Sequence, residues 1–376
     1  MTLDPNFELA DVSKDGTIFM GKTVTCDGYN FHRKNAVFTH IHSDHVGRTF
    51  NKALQNVPGQ IYSTYQTLKL LQKLNGEISE HRRQFHTLDP TDPKMLVKGE
   101  EIPHQVLNPN DSTMVGDQNY KEKLTLLESS HMLGACSVRL ATPDGPTIGY
   151  SGDFTSEDEP PKCDILIIDA THGTPQFNKK NTDKESLERR LLEFVEREIN
   201  NGKPVIIHAV RGKLQELMSL VSSSTEIANS THFYSSKEDI DISEVYNEHP
   251  DFEIRDILRD NDEDGTAYRN GVNPFVEFSA GQKPKRYEDN GKASGIHVMG
   301  YLGEFDCIER DSSIYFQMSN HATFDNIIKY VEKSQATKII VEGTRTADKG
   351  GKLMSHLTNI GFDAYCRPEP VFTRNV

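Results

Sequence analysis

Residues 40–45 read His-Ile-His-Ser-Asp-His and follow directly on the apolar run Ala36 to Thr39. Three imidazoles and a carboxylate in six positions form a donor set that suits borderline divalent ions such as zinc. His40 and His42 are two residues apart. On a straight strand they share a face, and at a strand end they can converge on one ion. Asp44 and His45 follow in the turn and point towards a second ion nearby. Irregular backbone after a strand is what lets four such side chains meet. A His-rich surface turn is the competing reading, and the density of donors argues against it.

The elements around this segment alternate. Ala36 to Thr39, Leu124 to Leu127, Ile165 to Ile168, Val205 to Ile207 and Ile339 to Val341 are short β-rich runs suited to strands covered on both faces. Pro143-Asp144-Gly145 lies between two alternating segments and predicts a β-hairpin. In residues 181–202, Leu187, Leu191, Val195 and Ile199 recur every fourth position. Thr182 and Glu185 have the spacing of a capping box, and Gly202 is a stop, so a helix is predicted there. Lys213 to Val221 and Phe324 to Glu332 also read as helices. The mixture is an α/β pattern. At 376 residues the chain fits two lobes, or one large domain carrying an insertion. Residues 235–265, dense in Asp and Glu, read as a solvated surface segment.

The net charge of −14 argues mildly against a non-specific nucleic-acid coat protein. It leaves room for a nucleic-acid enzyme whose ions dominate the local field. Cys26, Cys136, Cys163, Cys307 and Cys366 are odd in number and contain no closely spaced pair, which points to a reducing compartment. There is no basic-then-apolar leader pattern at the start and no apolar run of roughly 18 residues. The expectation is a cytoplasmic protein with no membrane partner, with self-association left open.

The His40 to His45 segment resembles the H-x-H-x-D-H signature of the metallo-β-lactamase superfamily. The resemblance implies an αββα sandwich with a metal site at the strand ends and further ligands downstream, in order. His131, in Ser-Ser-His-Met-Leu-Gly-Ala, matches the lone histidine. Asp153, in Ser-Gly-Asp-Phe, matches the bridging aspartate, whose two oxygens can hold two cations.

Later blocks resemble the β-CASP nucleases, which include the cleavage and polyadenylation endonuclease, DNA-repair nucleases and ligase-associated exonucleases. Asp169 ends an apolar strand before Ala-Thr-His-Gly, where those families have an acidic residue and a small-Thr-aromatic-Gly turn. His172 replaces the aromatic residue and is read as structural. Gly212, Lys213, Gln215, Glu216 and Leu217 resemble the helix start that opens the inserted domain. His321, in Ser-Asn-His-Ala, matches the histidine where the chain returns. Glu342 stands where RNA-type members carry a histidine and repair members an aliphatic residue. A carboxylate there is a candidate ligand for the second ion and would make Mn²⁺ or Mg²⁺ competitive.

The implied arrangement is a metallo-β-lactamase domain over residues 1–176 and 313–376, with a β-CASP-like α/β cap at 177–312. Two divalent ions, zinc foremost, are implied: one on His40, His42, His131 and Asp153, the other on Asp44, His45 and Asp153, with Glu342 as a candidate. Asp44, His321 and Asp169 are the implied catalytic residues, His321 as general acid oriented by Asp169. Arg211, Lys213 and Arg345 are candidates for substrate phosphates. The expected activity is phosphodiester hydrolysis of RNA or single-stranded DNA, RNA processing being preferred. The alternatives are a DNA-repair exonuclease, a small-molecule hydrolase such as a thioesterase or lactonase, and a non-catalytic nucleic-acid scaffold subunit.

Overall fold

A computed structural model describes residues 9–30, 32–46, 60–81, 85–86, 94–97, 100–178, 183–259, 274–280, 293–346 and 348–369. The chain divides into two compact units, one of residues 1–178 with 321–376 and one of 179–320. The structure is mixed α/β, with three sheets among the described residues.

The first unit holds two sheets. One has the order Ala10–Val12, Ile18–Met20, Val24–Cys26, Asn35–Val37, Ile61–Ser63, Glu100–Val106, Lys94–Val97, Phe85–His86. The other runs Asp363–Arg367, Lys338–Glu342, Ile165–Ile168, Thr147–Tyr150, Cys136–Ala141, Lys121–Glu128, Ser112–Gly116. The two share a core: Ile18, Met20, Val24, Val37 and Tyr62 from the first pack with Leu126, Val138, Leu140, Ile148 and Ile167 from the second. The opposite face of the second sheet buries Leu166, Ile168, Ile339 and Val341 against helices Phe324–Ser334 and Lys349–Asn359. This two-sided burial is why Ile165–Ile168 and Ile339–Val341 are apolar without alternation. Leu140 is fully buried between the sheets. Leu140→Ala should therefore lower unfolding free energy by about 2–5 kcal/mol, read from urea unfolding.

The predicted hairpin forms, with Cys136–Ala141 antiparallel to Thr147–Tyr150. Lys121–Glu128 is also antiparallel to Cys136–Ala141, so it runs the same way as Thr147–Tyr150. Ile165–Ile168 and Lys338–Glu342 continue in that direction by parallel pairing. The segments that leave these strands at 129–131, 151–153, 169 and 343–346 therefore emerge on one edge. The Asn35–Val37 strand brings its exit to the same edge, where the Cys136 N–H donates to Thr39 O at 3.1 Å.

The second unit has one sheet, in the order Ile257–Arg259, His232–Ser235, Phe275–Ala280, Val205–Ala209, Ser294–Met299, Ser313–Gln317, Cys307–Arg310. All its pairings are parallel except the last. The predicted helix is Lys184–Asn200 and buries Leu187, Leu191, Val195 and Ile199. Its cap is Asp183, whose side chain accepts from the Glu185 N–H, and Thr182 lies outside the described residues. Lys213–Ser222 begins at Gly212, whose φ of 88° favours glycine, and the Gly212 N–H donates to Gln215 Oε1 at 2.8 Å. The Gly-Lys-x-Gln spacing is thus a helix start built from its own side chain.

The acidic segment is not simply solvated. Residues Lys237–Asn247 form a helix capped by Ser236 that buries Ile242, Val245 and Tyr246. Charge density conceals an apolar stripe at helical spacing. Residues 260–265 lie outside the described residues. The five cysteines are free. Among the described residues no helix is long and apolar enough to cross a membrane.

Candidate metal centre

The Asn35–Val37 strand ends three residues before His40, and the chain turns at once, with the His45 and Val46 N–H groups donating to His42 O at 2.9 and 3.0 Å. This turn reverses His45 towards the side His40 faces. His131 comes from the loop after Lys121–Glu128. That loop is closed by Ser129, whose hydroxyl donates to Asp153 O at 2.8 Å, and by Asp158, which accepts from the Ser130 N–H at 2.8 Å. Gly134, with φ of 81°, lets the same loop approach the Thr67 backbone, where a Cβ would come within 2.6 Å of the Thr67 nitrogen.

Ligand atoms of His40, His42, His131 and Asp153 all lie within 4.8 Å of one another. Asp153 is central. Its Oδ2 is 3.5 Å from His40 Nε2 and 3.4 Å from His131 Nε2, and its Oδ1 is 3.2 Å from His45 Nε2. One oxygen thus faces each side. Asp44, half exposed, lies 3.7 Å from His45 Nε2.

A second group brings Asp153, Asp169 and His321 together. His321 Nε2 is 3.9 Å from Asp153 Oδ2, and its Nδ1 is 3.7 Å from Asp169 Oδ2. Asp169 is fixed by the Thr171 N–H, 3.1 Å from each of its oxygens, and by the Thr171 hydroxyl at 2.8 Å. His172 is buried, with Nδ1 3.1 Å from Ala322 O and its ring stacked on Phe177 at 4.3 Å. It thereby holds the backbone next to His321.

The site fits a divalent cation. The Nε2 atoms of His40 and His45 are buried and make no hydrogen bond, although a carboxylate lies beside each. Burial depresses the basicity of His40 and His131, which favours the neutral, ligating form of both rings. Burial would likewise raise Asp153, but His45, His321 and His131 hold it well below the usual carboxylate range. His45 behaves differently. Burial lowers it, yet Asp153, opposed by Arg345 and joined by Asp27, lifts it to about 10. The pocket between His45 and Asp153 therefore attracts positive charge.

Asp27 escaped the sequence reading. It is buried and accepts the Thr39 N–H, the Thr39 hydroxyl, His45 Nδ1 and the Tyr150 hydroxyl at 2.8, 2.8, 2.8 and 2.9 Å. Thr39 Oγ1 is in turn 3.1 Å from His40 Nδ1. Asp27 thus orders the far nitrogen of two histidines and leaves their Nε2 atoms aimed into the site. Burial alone would raise its carboxyl, but His45, Arg345 and His40 bring it down to about 2. Its only local signal is an acid after the strand Val24–Cys26, which reads as an ordinary Asp-Gly turn.

Four expected residues are placed otherwise. Glu342 joins neither group. Its Oε1 accepts the Thr344 N–H at 2.7 Å and the Thr344 hydroxyl, and its Oε2 the Arg345 N–H at 3.2 Å. The Arg345 side chain is largely covered and donates to Asp44 O and Gly16 O at 3.1 and 2.9 Å, so it forms wall and does not face solvent phosphates. In the second unit, Lys213 is buried and paired with Glu216 at 2.5 Å. Arg211 is paired with Glu238 at 2.7 Å and Asp239 at 3.2 Å.

No protein-family model matches the chain. It is 27% identical over 256 residues to the transcription termination factor FttA of Pyrococcus horikoshii, covering 64% of this chain and 37% of that protein. It is 27% identical over 201 residues to an RNase J-like protein of Methanocaldococcus jannaschii, covering 50% of this chain and 43% of the other. It is 30% identical over 116 residues to the cleavage and polyadenylation specificity factor subunit 3 of Dictyostelium discoideum, covering 28% and 14%. The chain spans less than half the length of these relatives. A crystal structure of a protein of unknown function from Enterococcus faecalis V583 shares the fold, with a TM-score of 0.52 and 14% identity over 84% of this chain and 76% of that one. With its gathered histidines and aspartates and these three relatives, the chain belongs to the β-CASP branch of the metallo-β-lactamase superfamily.

Proposed function

We propose that this chain is a metal-dependent nuclease that hydrolyses phosphodiester bonds, with RNA as its preferred substrate, in the cytoplasm. In this reading residues 1–178 and 321–376 form the αββα sandwich and 179–320 the inserted β-CASP cap. The observation that carries it is the convergence of His40, His42, His131 and Asp153 with buried, hydrogen-bond-free Nε2 atoms on His40 and His45. The names of the relatives, a termination factor, an RNase J-like protein and a cleavage factor subunit, support RNA.

His40, His42, His131 and Asp153 would hold one zinc ion, and Asp44, His45 and Asp153 a second divalent ion. When bound, such ions supply Lewis acidity and bring the pKa of a water molecule towards about 7. The protein's own part is orientation and proton transfer. Asp153, with Oδ2 beside His40 and His131 and Oδ1 beside His45, would serve both positions. Asp27 sets the direction of His40 and His45. His321 offers a proton from Nε2 to the leaving oxygen, and Asp169 steadies its Nδ1 side. Ala322 and His172 hold that loop in place.

The deciding experiment incubates the purified protein, with Zn²⁺ or Mn²⁺, with end-labelled single-stranded RNA and DNA in parallel. RNA should be cut faster, and a double variant, Asp44→Ala with His45→Ala, should be inert. Metal-loaded, folded protein that cuts neither strand would remove the nuclease reading, and faster DNA cleavage would replace RNA with DNA. His321→Ala should lower kcat by about 10²–10⁴-fold with zinc content unchanged. Loss of zinc in that variant would make His321 a ligand instead of an acid.

A further inference from the structure

The donors on the two sides of Asp153 are unequal. One side gathers four ligand atoms within 4.8 Å, from His40, His42, His131 and Asp153. The other offers His45 Nε2, 3.2 Å from Asp153 Oδ1, and the half-exposed Asp44 carboxylate, 3.7 Å from His45 Nε2. Glu342 lies outside both gathered groups, and its oxygens turn to Thr344 and the Arg345 N–H.

Arg345 adds a fixed positive charge to the weaker side. Its side chain is 7% exposed, and its Nη1 lies 3.8 Å from Glu342 Oε1. Nε donates to Asp44 O and Nη2 to Gly16 O, so the guanidinium is locked beside the turn that carries Asp44 and His45. A guanidinium does not deprotonate in proteins, and a buried one is poorly screened by salt. Held beside the turn that carries Asp44 and His45, its charge repels a cation bound there.

We propose that the two ion positions are unequal by construction. His40, His42, His131 and Asp153 bind one divalent ion tightly. Asp44, His45 and Asp153, with fewer donors and the Arg345 guanidinium alongside, bind the second weakly. This rests on the reading of the site as a metal centre. Arg345 has two separable effects, a hydrogen bond that holds the Asp44 turn and a charge that opposes the second ion. Arg345→Gln keeps a donor and removes the charge, whereas Arg345→Lys keeps the charge.

The test strips the full-length protein with a chelator and titrates it with zinc chloride at neutral pH by calorimetry. Zinc is then counted by elemental analysis after gel filtration, with circular dichroism as the check on folding. One zinc per chain should survive filtration, and the second binding event should be weaker by at least about tenfold. Arg345→Gln should strengthen the second event, and Arg345→Lys should leave it weak. Two equally tight ions in the parent protein, or a second event unchanged in folded Arg345→Gln, would overturn the inequality and leave the metal centre standing. A folded parent that takes up no zinc would overturn the metal centre itself. The parent titration decides the matter even if the Gln variant does not fold.

Discussion

Asp153→Ala should abolish strand cleavage and zinc retention together while the protein still folds. The Asp153 carboxylate lies within 3.5 Å of His40, His45 and His131 and within 3.9 Å of His321. Its removal takes away the negative charge that draws a cation between the imidazoles. The truncation also takes a counter-charge from His45 and His321 and should cost some stability, as loss of one partner of a buried charged pair does, so both readouts are taken on folded protein. Zinc content and cleavage of labelled RNA are the two readouts, with circular dichroism as control. Full zinc content in the folded variant would remove Asp153 from the ligand set. Asp153→Asn keeps the shape and one acceptor oxygen, and it should fall between the parent and the alanine variant in zinc affinity.

Asp27→Ala should be the more damaging change to the fold. Asp27 is buried and takes hydrogen bonds from Thr39 and His45 in one turn and from Tyr150 at the end of another strand. Truncation leaves these donors without a partner and His45 without its nearest counter-charge. Breaking a buried charged network of this kind costs about 3–5 kcal/mol. Urea unfolding of the metal-free protein should show that loss. Zinc affinity should fall as well, because His40 and His45 lose the contact that orients their rings. Asp27→Asn retains a hydrogen-bonding side chain and should recover part of the stability. An alanine variant as stable as the parent would mean that Thr39, His45 and Tyr150 find other partners, and the orienting role would fall with it.

What could be read from the chain and what could not have different physical origins. The strand runs Ile165–Ile168 and Ile339–Val341 were visible because burial on both faces demands continuous apolar sequence. The helix Lys184–Asn200 was visible through its four-residue period. The acidic helix Lys237–Asn247 was hidden, because its charge masks the few apolar positions that pack. Glu342 shows the limit for single residues. In sequence it is a carboxylate at the end of a strand, a candidate ligand. In the structure its oxygens accept from the N–H groups of its own turn. Arg345 reads as a surface cation and is instead a buried one, because Gly16 and Asp44, more than 300 positions away in sequence, supply its acceptors.

The local chemistry was set by residue type and spacing alone: a dense donor segment at 40–45, then His131 and Asp153, each at the end of a strand-forming run. Those are short-range features, since donor identity and strand periodicity are written within a few residues. Which donors actually meet, which carboxylate is already satisfied, and that Asp27 and Arg345 flank the site were decided only by folding. Those depend on contacts between strand ends brought together by sheet pairing, and no local pattern encodes such distances.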